Sequence, residues 1–149
     1  MPSLSPRLAA IIDALPLRPG MRVLEVGCGP GVAAREVARR LRGGHVLGID
    51  RSRKALALAR AGSKAELASG QLSFRCVAIE DFELSSDDAP FDLAFAVRVG
   101  ALDGRHPDVF ERACARIAAA LGPRAKLFID GGDPLRLITL SRIRTNHGS

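Results

Sequence analysis

The sequence predicts an open α/β sheet with helices on both faces, and three observations carry that expectation. Short apolar runs alternate with helical patterns along almost the whole chain, and repeated strand–helix units build parallel sheets. The first run, 22–26, stops at three alternating glycines, Gly27, Gly29 and Gly31, and a helical pattern follows at once. Asp50 ends the second run, 19 residues after Gly31. A buried strand, a tight turn and a helix start form the place where such folds bind nucleotide-like ligands.

Each element has its own signal. Leu4, Leu8, Ile11, Ile12 and Leu15 recur at helical spacing, with Ser5 before Pro6 as the start and Pro16 and Pro19-Gly20 as the stop. This helix is expected to pack near or over the ligand site. Strand one (22–26) reads as buried on both faces. The next helix turns Ala34, Val37, Ala38 and Leu41 inward and Arg35, Arg39, Arg40 and Arg42 outward, and ends at Gly43-Gly44. Strand two is 45–49. Ser52 caps a helix running to Ala68 with a break near Gly62. Strand three (72–78) leads into the acidic segment 80–83, and strand four is 91–97. A loop, 98–106, precedes a helix opened by Pro107, whose inner face is Phe110, Ala113, Cys114, Ile117 and Leu121 and which Gly122-Pro123 stops. Strand five (125–130) and the turn 131–134 lead to a last amphipathic helix, 134–144, carrying Leu135, Leu137, Ile138, Leu140 and Ile143.

At 149 residues the chain is expected to be one domain, 1–149, with an N-terminal helix in 1–19 and a C-terminal helix and tail in 134–149. The net charge is +6, mostly from arginine. Its dispersal over helix faces reads as solvation, with an anionic partner as the other reading. Tyr and Trp are absent and Phe numbers six, which leaves little for stacking nucleic-acid bases. Cys28, Cys76 and Cys114 show no metal-ligand spacing and no disulfide framework. A reduced, cytoplasmic setting is expected. Asp13 interrupts the apolar stretch 8–15, which reads as a packing helix and not a leader. No run reaches the roughly 20 apolar residues of a membrane span.

The glycines let the backbone turn sharply, approach a ligand and enter a helix without side chains in the way. Free N–H groups at the turn are expected to bind a polar or anionic group. Asp50 can accept hydrogen bonds from both ribose hydroxyls of a nucleoside.

"VLEVGCGPG" (23–31) and "VLGIDRS" (46–52) resemble the first two motifs of class I S-adenosylmethionine-dependent methyltransferases. The spacing is G-x-G-x-G, and Val32 stands where a nicotinamide-binding G-x-G-x-x-G turn needs glycine. The resemblance covers about residues 20–133. It implies a Rossmann-like, doubly wound parallel sheet of about five strands, order 3-2-1-4-5. It also implies S-adenosyl-L-methionine as cofactor and methyl transfer as the activity. By position, Gly27, Cys28, Gly29 and Gly31 would border the methionine part of the cofactor, with Glu25 beneath the loop. Asp50 would hold the ribose and Arg51 would lie beside the adenine. Ala78 falls where many members have Asp, so an adenine contact shifts to Glu80 or Asp81, with Ile79 against the ring. Val97 and Arg98 would bring backbone to the methionine end.

The sulfonium methyl is already activated, so orientation carries much of the rate. Candidate bases are Asp103 and His106, with Arg98 as an anion clamp; His106 is equally a helix-start residue. A small-molecule acceptor is expected, with its binding left to the first helix, the loop 98–107 and, as a further alternative, a partner chain. The absence of an N-P-P-Y motif after strand four argues against methylation of nucleic-acid bases. The usual last two strands are expected to be missing, leaving strand five at the edge, covered by the last helix and open to homodimer contacts. Three further readings stay open: a catalytically silent cofactor-binding subunit, a dehydrogenase fragment, and an RNA methyltransferase suggested by the charge.

Overall fold

The computed structural model describes residues 3–140. The elements in chain order are α1 (Pro6–Ala14), β1 (Arg22–Val26), α2 (Val32–Arg40), β2 (His45–Asp50), α3 (Arg53–Ala61), α4 (Lys64–Ala68), β3 (Leu72–Cys76), a 3-10 turn (Ile79–Asp81), β4 (Phe91–Ala96), α5 (Pro107–Ala120), β5 (Leu121–Asp130) and β6 (Leu135–Ile138). They form one six-stranded sheet of order β3-β2-β1-β4-β5-β6. The first five strands are parallel and β6 is antiparallel to β5.

Strand alternation sorts the core onto the two faces of the sheet. Leu24 and Val26 point with Ile49, Ala94 and Ile129 toward α5. Val23 points with Val46, Leu93 and Phe95 toward α1 and α2. By the same alternation Glu25 takes an α2-face position, directly below the start of that helix. The caps follow the sequence: Ser5 Oγ accepts from Leu8 N–H, and Ser52 Oγ accepts from Ala55 N–H. The break at Gly62 separates α3 from α4. His45 is structural, its ring nitrogens lying 2.7 Å from Gly70 O and 2.8 Å from Ser73 Oγ.

Three expectations need correction. The segment after strand five is not a helix where it is described. Residues 135–138 form β6, pairing Leu135 with Asp130 and Ile138 with Leu127. The four residues 131–134, with Gly131 at φ 109°, form a reversal short enough for a hairpin, and the unpaired edge of β5 offers a ladder that a helix cannot satisfy. Strand five is therefore not the sheet edge, the sheet has six strands and not five, and a helix-mediated homodimer has no helix over 135–138 to rest on. The remainder of the expected helix, from residue 141, lies outside the described residues.

Arg35 does not lie on the solvated face of α2. It is buried, and its Nη1 donates to Pro30 O and Ser63 Oγ, both at 3.0 Å. The helical-face argument missed it because Arg35 sits in the first turn of α2, where the glycine turn and the α3–α4 break crowd over the helix. Finally, β5 begins at Leu121, before Gly122-Pro123, and its pairing with β4 shifts register between Phe91 and Leu93. Among the described residues no helix is long and apolar enough to cross a membrane.

Candidate functional site

The C-terminal ends of β1, β2 and β4 open into a cavity of about 260 Å³. Its floor is Val26, Gly27 and Ile49. One wall is Asp50, Arg51 and residues 77–80; the other is 98–101 with Arg105 and His106. The glycine turn is wired to β2 from above and below. Gly27 and Cys28 N–H both donate to Ile49 O, at 2.8 and 2.9 Å, and Gly31 N–H donates to Cys28 O at 3.0 Å. Gly29 N–H donates to Asp50 Oδ2 at 2.8 Å, and Ser52 N–H donates to Asp50 Oδ1 at 2.9 Å.

This corrects one expectation about the turn. Its N–H groups do not await an anion, because all four (Pro30 has none) are already engaged within the chain. The glycines serve conformation instead. Gly27, Gly29 and Gly31 have φ of 69°, 53° and 86°, a region that side chains disfavour. A Cβ on Gly27 would stand 2.6 Å from Val99 Cγ2, so the loop after β4 closes directly over the turn.

Glu25 is buried under the turn, and its Oε1 has no hydrogen-bond partner. Burial, then the nearby Asp50 charge, pushes its carboxyl up to about 8, against a smaller opposing hydrogen bond from the Ala34 backbone. The Cys28 thiol is pushed well above its usual range by burial first, then by Glu25 and Asp50. Cys28 is thus a packing residue in its thiol form.

Among the sequence-predicted residues, Gly27, Asp50, Arg51, Ile79, Glu80 and Arg98 line the cavity, as does His106. Glu25, Cys28, Gly29 and Gly31 lie behind its wall as supports. Asp81 turns away and pairs with Arg112 at 3.0 Å. Asp103 does not line the cavity. Arg105 Nε lies 3.0 and 2.9 Å from its two oxygens, and that hydrogen bond holds the carboxyl below its usual range, the opposite of what a base near neutrality needs. Val97 faces a neighbouring slot with Arg98, Leu8 and Ile11, so α1 does pack beside the site.

Val99, Gly100, Ala101 and Arg105 belong to the loop 98–107 expected to serve the acceptor; none carries a motif of its own, and they reach the cavity with Leu102 buried beneath their loop. Sequence reasoning missed Asp130. Its Oδ1 accepts from Arg98 N–H at 3.0 Å, and its Oδ2 lies 3.3 Å from Arg7 Nη2. A signal was present, since Asp130 ends strand five as Asp50 ends strand two.

A family model described as a methyltransferase domain matches residues 17–129. A ubiquinone biosynthesis O-methyltransferase of Xylella fastidiosa is 38% identical over 124 residues, which cover 83% of this chain and 46% of that protein. Among solved structures, a SAM-dependent methyltransferase from Thiobacillus denitrificans in complex with S-adenosyl-L-homocysteine superposes with a TM-score of 0.66 at 26% identity, covering 85% of this chain and 48% of that one. The [4+2]-cyclase SpnF also superposes with a TM-score of 0.66, at 30% identity, covering 82% and 42%. The chain thus spans about half the length, or less, of the relatives it matches.

Proposed function

This chain belongs to the methyltransferase-domain family, whose model covers well over half of its 149 residues, and from that premise we propose that it binds S-adenosyl-L-methionine in the cavity above Gly27 and transfers the methyl group to a small molecule. The observation that carries the reading is the wiring of the turn. A pyrophosphate-binding turn keeps N–H donors free for phosphate oxygens. Here Gly27, Cys28, Gly29 and Gly31 have spent theirs, so the site suits a nucleoside joined to a cationic amino acid better than a dinucleotide.

The residues fit such a ligand. Asp50 keeps acceptor capacity on both oxygens beyond the two amides that fix it and serves the ribose hydroxyls. Arg51, Ile79 and Glu80 frame the base, with Glu80 taking the polar contact because Asp81 is turned to Arg112. Glu25 lies below the methionine end with an unpaired buried oxygen; its carboxyl is pushed up to about 8 and so is protonated near neutrality, and a cationic ligand above it would favour its ionisation. The bound cofactor supplies an activated methyl group, and the chain's task is then to orient the acceptor and exclude water. His106, on the cavity wall, is the residue placed to take a proton from a hydroxyl acceptor. Asp103 is spent on Arg105.

Calorimetric titration with S-adenosylhomocysteine tests this reading. Asp50→Ala is expected to weaken binding by roughly 1–3 kcal/mol, about five- to hundred-fold. Unchanged affinity in that variant would remove the ribose role.

A further inference from the structure

Beside the main cavity lies a second one of about 230 Å³, between α1 and the end of β4, lined by Ser5, Arg7, Leu8, Ile11, Val97 and Arg98. Arg98 borders both cavities. We propose that the methyl acceptor is a small molecule with an apolar body and one anionic group, seated in this slot with its anion on the Arg98 guanidinium. This rests on the reading of the main cavity as the methyl-donor site.

Three features of the slot point to that chemistry. Its body is apolar: Leu8, Ile11 and Val97 supply the walls, and its volume suits one ring or a short chain. Its charge is unbalanced. Asp130, the nearby carboxylate, is spent on the Arg98 N–H and on Arg7. The Arg98 side chain takes part in none of the ion pairs or hydrogen bonds of the described residues. No carboxylate and no aromatic ring lines the slot, so a cationic acceptor finds neither a counter-ion nor a π-face there, whereas an anion leaving water finds a guanidinium able to meet it with two parallel N–H groups.

The third feature is that Arg98 is held by its backbone. It adopts φ 56°, a conformation side chains rarely take. Its N–H is fixed by Asp130 and its carbonyl accepts from Arg105 Nη2 at 2.7 Å. Both backbone groups are pinned while the side chain remains uncommitted, which is the arrangement of a binding group on a rigid mount. Arg105 thereby acts as a positioning residue, working through the Arg98 carbonyl.

The test uses the whole chain saturated with S-adenosylhomocysteine and titrated with benzoate, phenyl phosphate and the neutral benzamide. Saturation with S-adenosylhomocysteine is itself the check on the main cavity: without it, the donor-site reading fails and the acceptor proposal falls with it. With it, one of the two anions is expected to bind at least about ten-fold more tightly than benzamide, and the tighter anion names the acceptor group. Arg98→Asn tolerates the left-handed backbone and is expected to bring that ratio to within about two-fold while benzamide binding holds. A structural role for Arg98 would instead weaken all three probes together. Equal binding of anions and benzamide to the unmodified chain, or an anion preference that survives Arg98→Asn, overturns the proposal.

Discussion

Along the edge formed by the C-terminal ends of the parallel strands, the ends of β1 and β2 are joined by a contact between Gly29 and Asp50, 21 residues apart. The ends of β4 and β5 are joined to α1 through Arg7 and Asp130, 123 residues apart. The first region is assembled within one β-α-β unit and fills its polar valences almost completely. The second is assembled from both ends of the described chain and leaves a guanidinium free. The difference separates two tasks. On the proposed function, the local unit would hold the methyl donor and the region gathered from distant segments the acceptor.

Substitutions in the two regions should differ in size accordingly. The largest expected effect is at Arg35. Arg35→Ala leaves Pro30 O and Ser63 Oγ without their buried donor and should cost about 2–4 kcal/mol in urea unfolding. Arg105→Ala, across the cavity, removes an exposed pair with Asp103 and an exposed hydrogen bond to the Arg98 carbonyl and should cost about 1 kcal/mol. Equal losses would erase the distinction between a wired turn and an adaptable loop.

Glu25 sharpens the contrast through pH. Its carboxyl is pushed up to about 8 in the fold from an ordinary value near 4.5. Between those values the folded chain holds a proton that the unfolded chain has lost, so this group's contribution to stability is full below about 4.5 and disappears as pH rises through about 8. The Asp103 shift has the opposite sign but acts below the usual carboxylate range, and the Cys28 shift acts above it, toward alkaline pH. Urea unfolding between pH 5 and pH 8 should therefore show stability falling by a few kcal/mol, and Glu25→Gln should flatten that slope. A slope unchanged by Glu25→Gln would mean that the carboxyl is hydrated in solution.

The glycines give a smaller effect. Gly27→Ala places a Cβ against Val99 at a positive φ and should destabilise by about 1–3 kcal/mol. Gly104→Ala, in the loop after β4, also has a positive φ but meets open space, so only the backbone cost of about 1 kcal/mol remains. The smallest effect belongs to the sheet edge. Leu137 on β6 is 48% exposed, and Leu137→Lys should change stability by no more than about 0.5 kcal/mol; a larger loss would mean that this edge is covered in solution.

The same contrast explains what the sequence could reveal. The alternation of strands and helices, the caps at Ser5 and Ser52, and the meeting of the glycine turn with Asp50 follow from local periodicity, turn chemistry and one parallel crossover, while the order of the first five strands came with the family resemblance. Arg35 was misplaced because an amphipathic pattern knows a helix's two faces but not which neighbour crosses its first turn. The strand at 135–138 was misread as helix because Leu135, Leu137 and Ile138 satisfy either period over so short a run, and the open ladder of β5 decided between them. Val99 enters the site through its approach to Gly27, and Asp130 through Arg98 and Arg7, contacts across the fold that no window of sequence contains; Arg105 is set within its own loop, by Asp103 and the Arg98 carbonyl.

The central claim is that the wired glycine turn and Asp50 make a methyl-donor site. Its most direct test is a pair of calorimetric titrations of the whole chain, one with S-adenosylhomocysteine and one with NAD. Saturable one-to-one binding of S-adenosylhomocysteine with no heat from NAD is the expected result. Tight NAD binding with no response to S-adenosylhomocysteine would contradict it.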